Sequence, residues 1–193
     1  TLISFSQDYF VGGLLIDNSR VSITEKESFP RLRSEEVLSK SVSLRRYVPE
    51  IGDQGRVGSC AGWNTTYYAF TIVRRIETRS KIGPFSPLST FNKVNTKLYG
   101  DISCKDGTFL EDCLELLVNQ GAPLFNENQK CEKDEYNRTY LNKLSSYRNL
   151  IVNQHNFKSA LIRKEPIVIG LQVYELSLWS HSLDASNISS DGE

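Results

Sequence analysis

Pro49, Gly52, Gly55 and Gly58 fall close together in the chain, and the apolar pattern changes immediately after them. A helix cannot run through such a stretch, so the backbone must turn here. From Ala61 onward, Trp63, Tyr67, Phe70, Val73 and Ile76 recur at three- and four-residue intervals, the mark of a helix with a buried face. Ser59 stands where a capping residue belongs. The segment "DQGRVGSC" therefore delivers Cys60 to the first turn of a helix, on a polar, glycine-rich loop where a thiol is not core filler.

A helix start offers unpaired N–H groups and the positive end of the helix dipole, both of which favour the thiolate. A thiolate attacking an acyl carbon creates an oxyanion, which needs donors aimed at the developing charge. The backbone N–H of Cys60 is one such donor. The carboxamide of Gln54 is a second, and Gly55 and Gly58 let the loop bend closely enough to bring it there. Cys104 and Cys113 lack this setting and fit the ordinary role of small buried side chains.

The rest of the chain reads as helices followed by a strand. Helices are expected over 61–76, 87–98, 108–119 and 156–163, with Pro87 in a first turn and Gly121 as a stop. Residues 126–146 are polar and irregular. The run "PIVIGLQVY", 166–174, is β-branched and apolar and predicts a buried strand. That order predicts an α+β domain over 43–193, preceded by an extension, 1–42, that packs across it.

The 23 basic and 23 acidic side chains cancel, and no run of one sign is long enough to form a nucleic-acid or lipid footprint. No window reaches the length of a membrane span, and no export signal is visible. The four cysteines form no C-x-x-C pair, so no metal is expected. With Cys60 set aside for chemistry, two of the other three can pair, which points to an oxidising compartment, secreted or periplasmic. The chain has no methionine, as expected of a processed or excised segment.

"DQGRVGSC" with the aromatic helix after it resembles the active-site segment of papain-like cysteine peptidases, in which Q-x-x-x-x-x-C joins the oxyanion glutamine to the nucleophile. Gln54 and Cys60 match that spacing. "SLRRYVPEIGDQG" is similar to the entry into the mature domain of bacterial members, and "FKSALIRKEPIVIGLQVY" to the helix and strand ahead of their catalytic histidine. "CKDGT" and the following helix resemble the glycine-containing strip that holds substrate backbone. The likeness runs from about Ser43 to Tyr174. It implies a papain-like fold with a helical lobe and a sheet lobe, and hydrolysis of peptides or proteins through an acyl-enzyme, with no cofactor. It also implies substrate contacts at Gly58, Ser59, Gly107 and Thr108, and a propeptide-like extension that interacts with the domain. Cys104 and Cys131, in loop contexts flanking the 108–119 helix, are expected to form a disulfide; the resemblance supports this pairing, and Cys113 stays free.

The sequence departs from the family signature at two places: Val57 replaces its first cysteine and Ala61 its aromatic residue. The histidine base belongs ~130 to 150 residues after the cysteine, near or past Glu193, and several further strands are expected to accompany it. His155 reads as a solvent-facing or capping residue, and His181 lies in a polar loop. Asn64, Asn137 and Asn187 fit the glycosylation pattern, with Asn64 expected to be inaccessible; Glu132, Asp134 and Glu135 read as a solvated face. Two other functions fit the same residues. One is a catalytically silent module that binds peptide, and the other a thiol acyltransferase on the same scaffold.

Overall fold

A computed structural model describes Leu14, Leu15, Asp17 and residues 41–133 and 138–170. After a 3₁₀ turn at Arg45–Tyr47, the loop opens into a central helix, α1, built from three consecutive parts: α-helical Cys60–Gly62, π-helical Trp63–Phe70 and α-helical Thr71–Thr78. The widened middle has a local cause. Asn64 Nδ2 donates to the Cys60 carbonyl at 3.1 Å, Thr65 Oγ1 to that of Ala61 at 2.7 Å and Thr71 Oγ1 to that of Thr66 at 3.4 Å. Short polar side chains compete there for the carbonyls that a regular α-helix reserves for its own N–H groups.

The expected aromatic face is present: Trp63, Tyr67 and Phe70 are buried. So are Thr65, Thr66, Ala69, Thr71 and Ile72, which makes one buried face too narrow a description. The reason is position, since α1 packs against both of the helices that follow. α2 is Pro87–Tyr99, with Pro87 in its first turn and the Ser86 hydroxyl accepting from the Ser89 N–H at 3.2 Å. A Cβ on Gly62 would sit 2.7 Å from the Pro87 carbonyl oxygen, so glycine is what lets α1 and α2 meet. A hydrogen bond of 2.9 Å between Thr66 and Thr90 joins them further along.

α3 is Leu110–Asn119, with Glu111 and Asp112 in its first turn, where acidic groups suit the helix dipole. It begins two residues later than its sequence pattern suggests, because the Thr108 backbone is paired elsewhere. The Leu15 N–H donates to the Thr108 carbonyl at 3.1 Å, and Leu14 forms a parallel bridge with Thr108. Ala61, Val94, Cys113 and Leu116 form one core cluster, onto which Leu14, Leu98 and Leu110 pack. Phe70, Phe85, Leu117 and Ala122 form a second, with the Phe70 and Phe85 rings 4.5 Å apart.

α4 is Gln154–Ile162. Its cap is Asn153, whose Oδ1 accepts from the Asn156 N–H at 2.8 Å, so the helix starts earlier than expected and His155 is not the capping group. The buried strand expected over 166–174 does not appear in its described part. Residues 166–170 carry no ladder, and Ile169 is 55% exposed. A strand requires a paired edge, and residues 166–169 instead line a groove of about 540 Å³ with Val73, Leu114 and Val152; 171–174 lie outside the described residues. The helical part of the expected α+β fold is thus in place, and no strand occurs among the described residues beyond isolated bridges.

Candidate active site

The loop ahead of Cys60 folds back on itself through one carbonyl. Val57 O accepts from Gln54 Nε2 at 3.0 Å and from the Ser59 N–H at 2.7 Å. The Gln54 side chain is therefore held at the base of the loop, with its second amide hydrogen outside any described hydrogen bond. Gly52 N–H donates to the Tyr68 hydroxyl at 3.2 Å, which ties the loop entry to α1. Gly58 donates its N–H to the Cys104 carbonyl at 2.8 Å, and a Cβ there would lie 2.6 Å from Lys105 O. The loop ahead of Cys60 and the 104–106 segment are consequently in backbone-to-backbone contact, and Gly58, expected at substrate, spends its N–H on that contact.

Cys60 opens α1 and is half-buried. Its thiol is pushed up from the ordinary value, first by burial, against which hydrogen bonds from the Ala61 and Cys60 backbone pull down. The helix-start effect expected to favour the thiolate operates, but desolvation outweighs it. Among the described residues no hydrogen bond joins an imidazole to Cys60. His155 is half-buried on α4, rather than solvent-facing, with its Nε2 unpartnered. His181 lies outside the described residues.

Ser59 occupies the cap position without capping. Its φ of −101° and ψ of 19° are not the extended geometry that turns a cap oxygen onto the first turn. The side chain is fully buried and its hydroxyl has no partner, so it stands behind the surface that substrate would meet. Asn64 departs from expectation in the opposite sense. It is exposed, about one turn on from Cys60, because that side of α1 is the open one.

Gly107 is buried, and its carbonyl accepts from the Tyr99 hydroxyl at 3.2 Å. Thr108 turns its hydroxyl inward to within 3.6 Å of Cys113 Sγ and its carbonyl toward Leu15. Cys104 and Cys131 are joined as a disulfide with their Cα atoms 5.9 Å apart. Cys113 is a free thiol sealed in the core, pushed up to about 12 chiefly by burial. The two free thiols thus differ sharply: Cys60 is partly open at a helix start, and Cys113 is out of reach of solvent.

Sequence reasoning passed over Asn95, a buried carboxamide on α2 that binds the 103–106 backbone. Nothing in its surroundings in the chain, "KVNTK", marks it out from a solvated asparagine. Among the described residues no group of three His, Cys, Asp or Glu side chains is placed to hold a metal ion. A half-open thiol, a backbone N–H at a helix start and a fixed carboxamide just ahead of them make a site suited to acyl transfer. The family model for papain family cysteine proteases matches residues 38–189, most of the chain. No curated protein and no solved structure matches it.

Proposed function

The chain belongs to the papain family of cysteine proteases, and on that premise we propose that it hydrolyses peptide bonds with Cys60 as the nucleophile. The observation that carries this reading is the half-buried Cys60 thiol in the first turn of α1, just behind a loop that fixes the Gln54 carboxamide. A base, supplied from outside the described residues, takes the thiol proton as sulfur bonds to the substrate carbonyl carbon. The Cys60 N–H and the second Nε2 hydrogen of Gln54 hold the resulting oxyanion. The C–N bond then breaks, and the base returns the proton to the departing amine. Water adds to the thioester, the C–S bond breaks, and acid and free thiol are restored.

Substrates are peptides or proteins, as the family implies. A substrate would lie along the Gly107 and Thr108 backbone edge once the extension has left it. The extension already touches that edge through Leu15 and Leu14, which supports a propeptide-like role for 1–42. The disulfide between Cys104 and Cys131 supports an oxidising compartment, secreted or periplasmic. No helix among the described residues is long and apolar enough to cross a membrane.

The test uses the full chain and an unfolded protein substrate. Iodoacetamide is expected to label Cys60 well before Cys113, and hydrolysis to fall in proportion to Cys60 labelling; release of 1–42 should raise the starting rate. Labelling of Cys113 first, or hydrolysis that survives complete alkylation of Cys60, would reject the proposal.

A further inference from the structure

Asn95 lies in the middle of α2 and is fully buried. A buried carboxamide has two donors and two acceptor sites to satisfy, and each unmet one is costly. This one is spent on a single short segment. Asn95 Oδ1 accepts from the Ser103 N–H at 2.6 Å, and Nδ2 donates to the Asp106 carbonyl at 2.9 Å. The two bonds grip the segment on either side of Cys104 and Lys105, and the Ser103 hydroxyl, bonded to the Asp106 carboxylate, closes the same turn from outside.

The gripped segment has two faces. Between the clamped residues, Cys104 presents the carbonyl that accepts the Gly58 N–H, while Lys105 and Asp106 present the oxygens that a Gly58 side chain would strike. Directly after the clamp come Gly107 and Thr108. The position of Asp106 therefore sets where that edge begins, and the position of Cys104 sets where the loop carrying Gln54 and Cys60 rests.

We infer that Asn95 is a positioning residue for the proposed peptidase site: its carboxamide fixes the 103–106 turn, which in turn places the nucleophile loop and the Gly107–Thr108 edge relative to each other. This rests on the proposed function for its catalytic consequence but not for its structural one. Asn95 touches neither substrate nor the reacting atoms; it acts through Cys104 and Gly58. The geometry also states what a substitution does. Asn95→Asp keeps the acceptor for Ser103 but sets an anionic oxygen against the Asp106 carbonyl. Protonating the introduced carboxyl restores a donor.

The experiment compares the full chain with Asn95→Asp, Asn95→Ala and Asn92→Ala. Asn92 is buried on the same helix and donates instead to the Lys130 carbonyl at 3.0 Å, so it controls for general damage to α2. Two readouts are taken on folded protein: amide hydrogen exchange at Gly58, and kcat and KM for peptide hydrolysis. In both Asn95 variants Gly58 should exchange roughly ten- to a hundredfold faster and kcat/KM fall by a similar factor, the scale expected for a small misplacement. Asn95→Asp should recover both as pH is lowered through the titration of its new carboxyl, whereas Asn92→Ala should leave Gly58 exchange near wild type. Should Asn95→Ala fail to fold, Asn95→Asp at low and high pH carries the comparison alone. Gly58 exchange unchanged in folded Asn95 variants, or equally raised in Asn92→Ala, would overturn the inference. Faster Gly58 exchange without hydrolysis by the wild-type chain would uphold the positioning link and count against the peptidase reading instead.

Discussion

Cys60→Ala should reduce kcat for peptide hydrolysis by about a millionfold, the scale seen when a covalent nucleophile is removed from a hydrolase. The effect is expected to be so large because no second thiol can stand in. Cys113 is fully buried with its thiol pushed up to about 12, and Cys104 and Cys131 are locked in a disulfide. Stability should hardly change. Cys60 is half-buried, so truncation removes one sulfur from a partly open position and costs about 1 kcal/mol or less. Progress curves on the purified variant, alongside its thermal unfolding, check both parts. A variant retaining a tenth of wild-type kcat would remove Cys60 from the reaction.

Gln54→Ala carries the next largest effect: a fall in kcat of roughly a hundred- to a thousandfold, the usual scale for one oxyanion donor, with KM close to wild type. The split follows from timing, because in the proposed reaction the Nε2 hydrogen would meet its charge only as the tetrahedral oxyanion forms. Loop collapse is not the alternative it first resembles. Without the Gln54 side chain, the Val57 carbonyl still accepts from the Ser59 N–H, and Gly58 still holds Cys104. Steady-state kinetics decide the matter; a variant whose KM rises while kcat stays unchanged would assign Gln54 to the loop alone.

The sequence exposed those features that depend on local pattern. The glycine-rich loop, the aromatic helix after Cys60 and the proline-led helix α2 all follow from neighbours within a few residues, and the structure places them within a residue or two of expectation. What stayed hidden depends on residues far apart in the chain. Lys93 is fully buried on α2, with its ammonium donating to Gln120 Oε1 and the Arg138 carbonyl and lying 4.8 Å from the Tyr140 ring. Those partners come from α3's end and a later loop, so no window around Lys93 reveals them. Asn95 is the same kind of case.

The site shows a similar division. Gln54 and Cys60 are tied by their spacing and by a loop closed within a few residues, which sequence can read. The fate of Ser59 turns on its φ and ψ, and that of Asn64 on which side of α1 the rest of the molecule covers. The net direction of the Cys60 titration is hidden for a related reason. A helix start is visible in sequence, whereas the burial that outweighs it is a property of the assembled loop. The π-helical stretch belongs with these: "NTT" shows polar side chains inside a helix, but not that they draw on the Cys60 and Ala61 carbonyls.

The most direct test of the account is to catch the intermediate. The full chain, mixed with an activated acyl ester of a short peptide and quenched in acid within the first turnover, should gain the mass of one acyl group. Peptide mapping should place that group on Cys60, with Gln54→Ala accumulating it more slowly. An acyl group found on any other residue, or hydrolysis of the ester with no acylated protein at any quench time, would contradict the claim that Cys60 is the nucleophile.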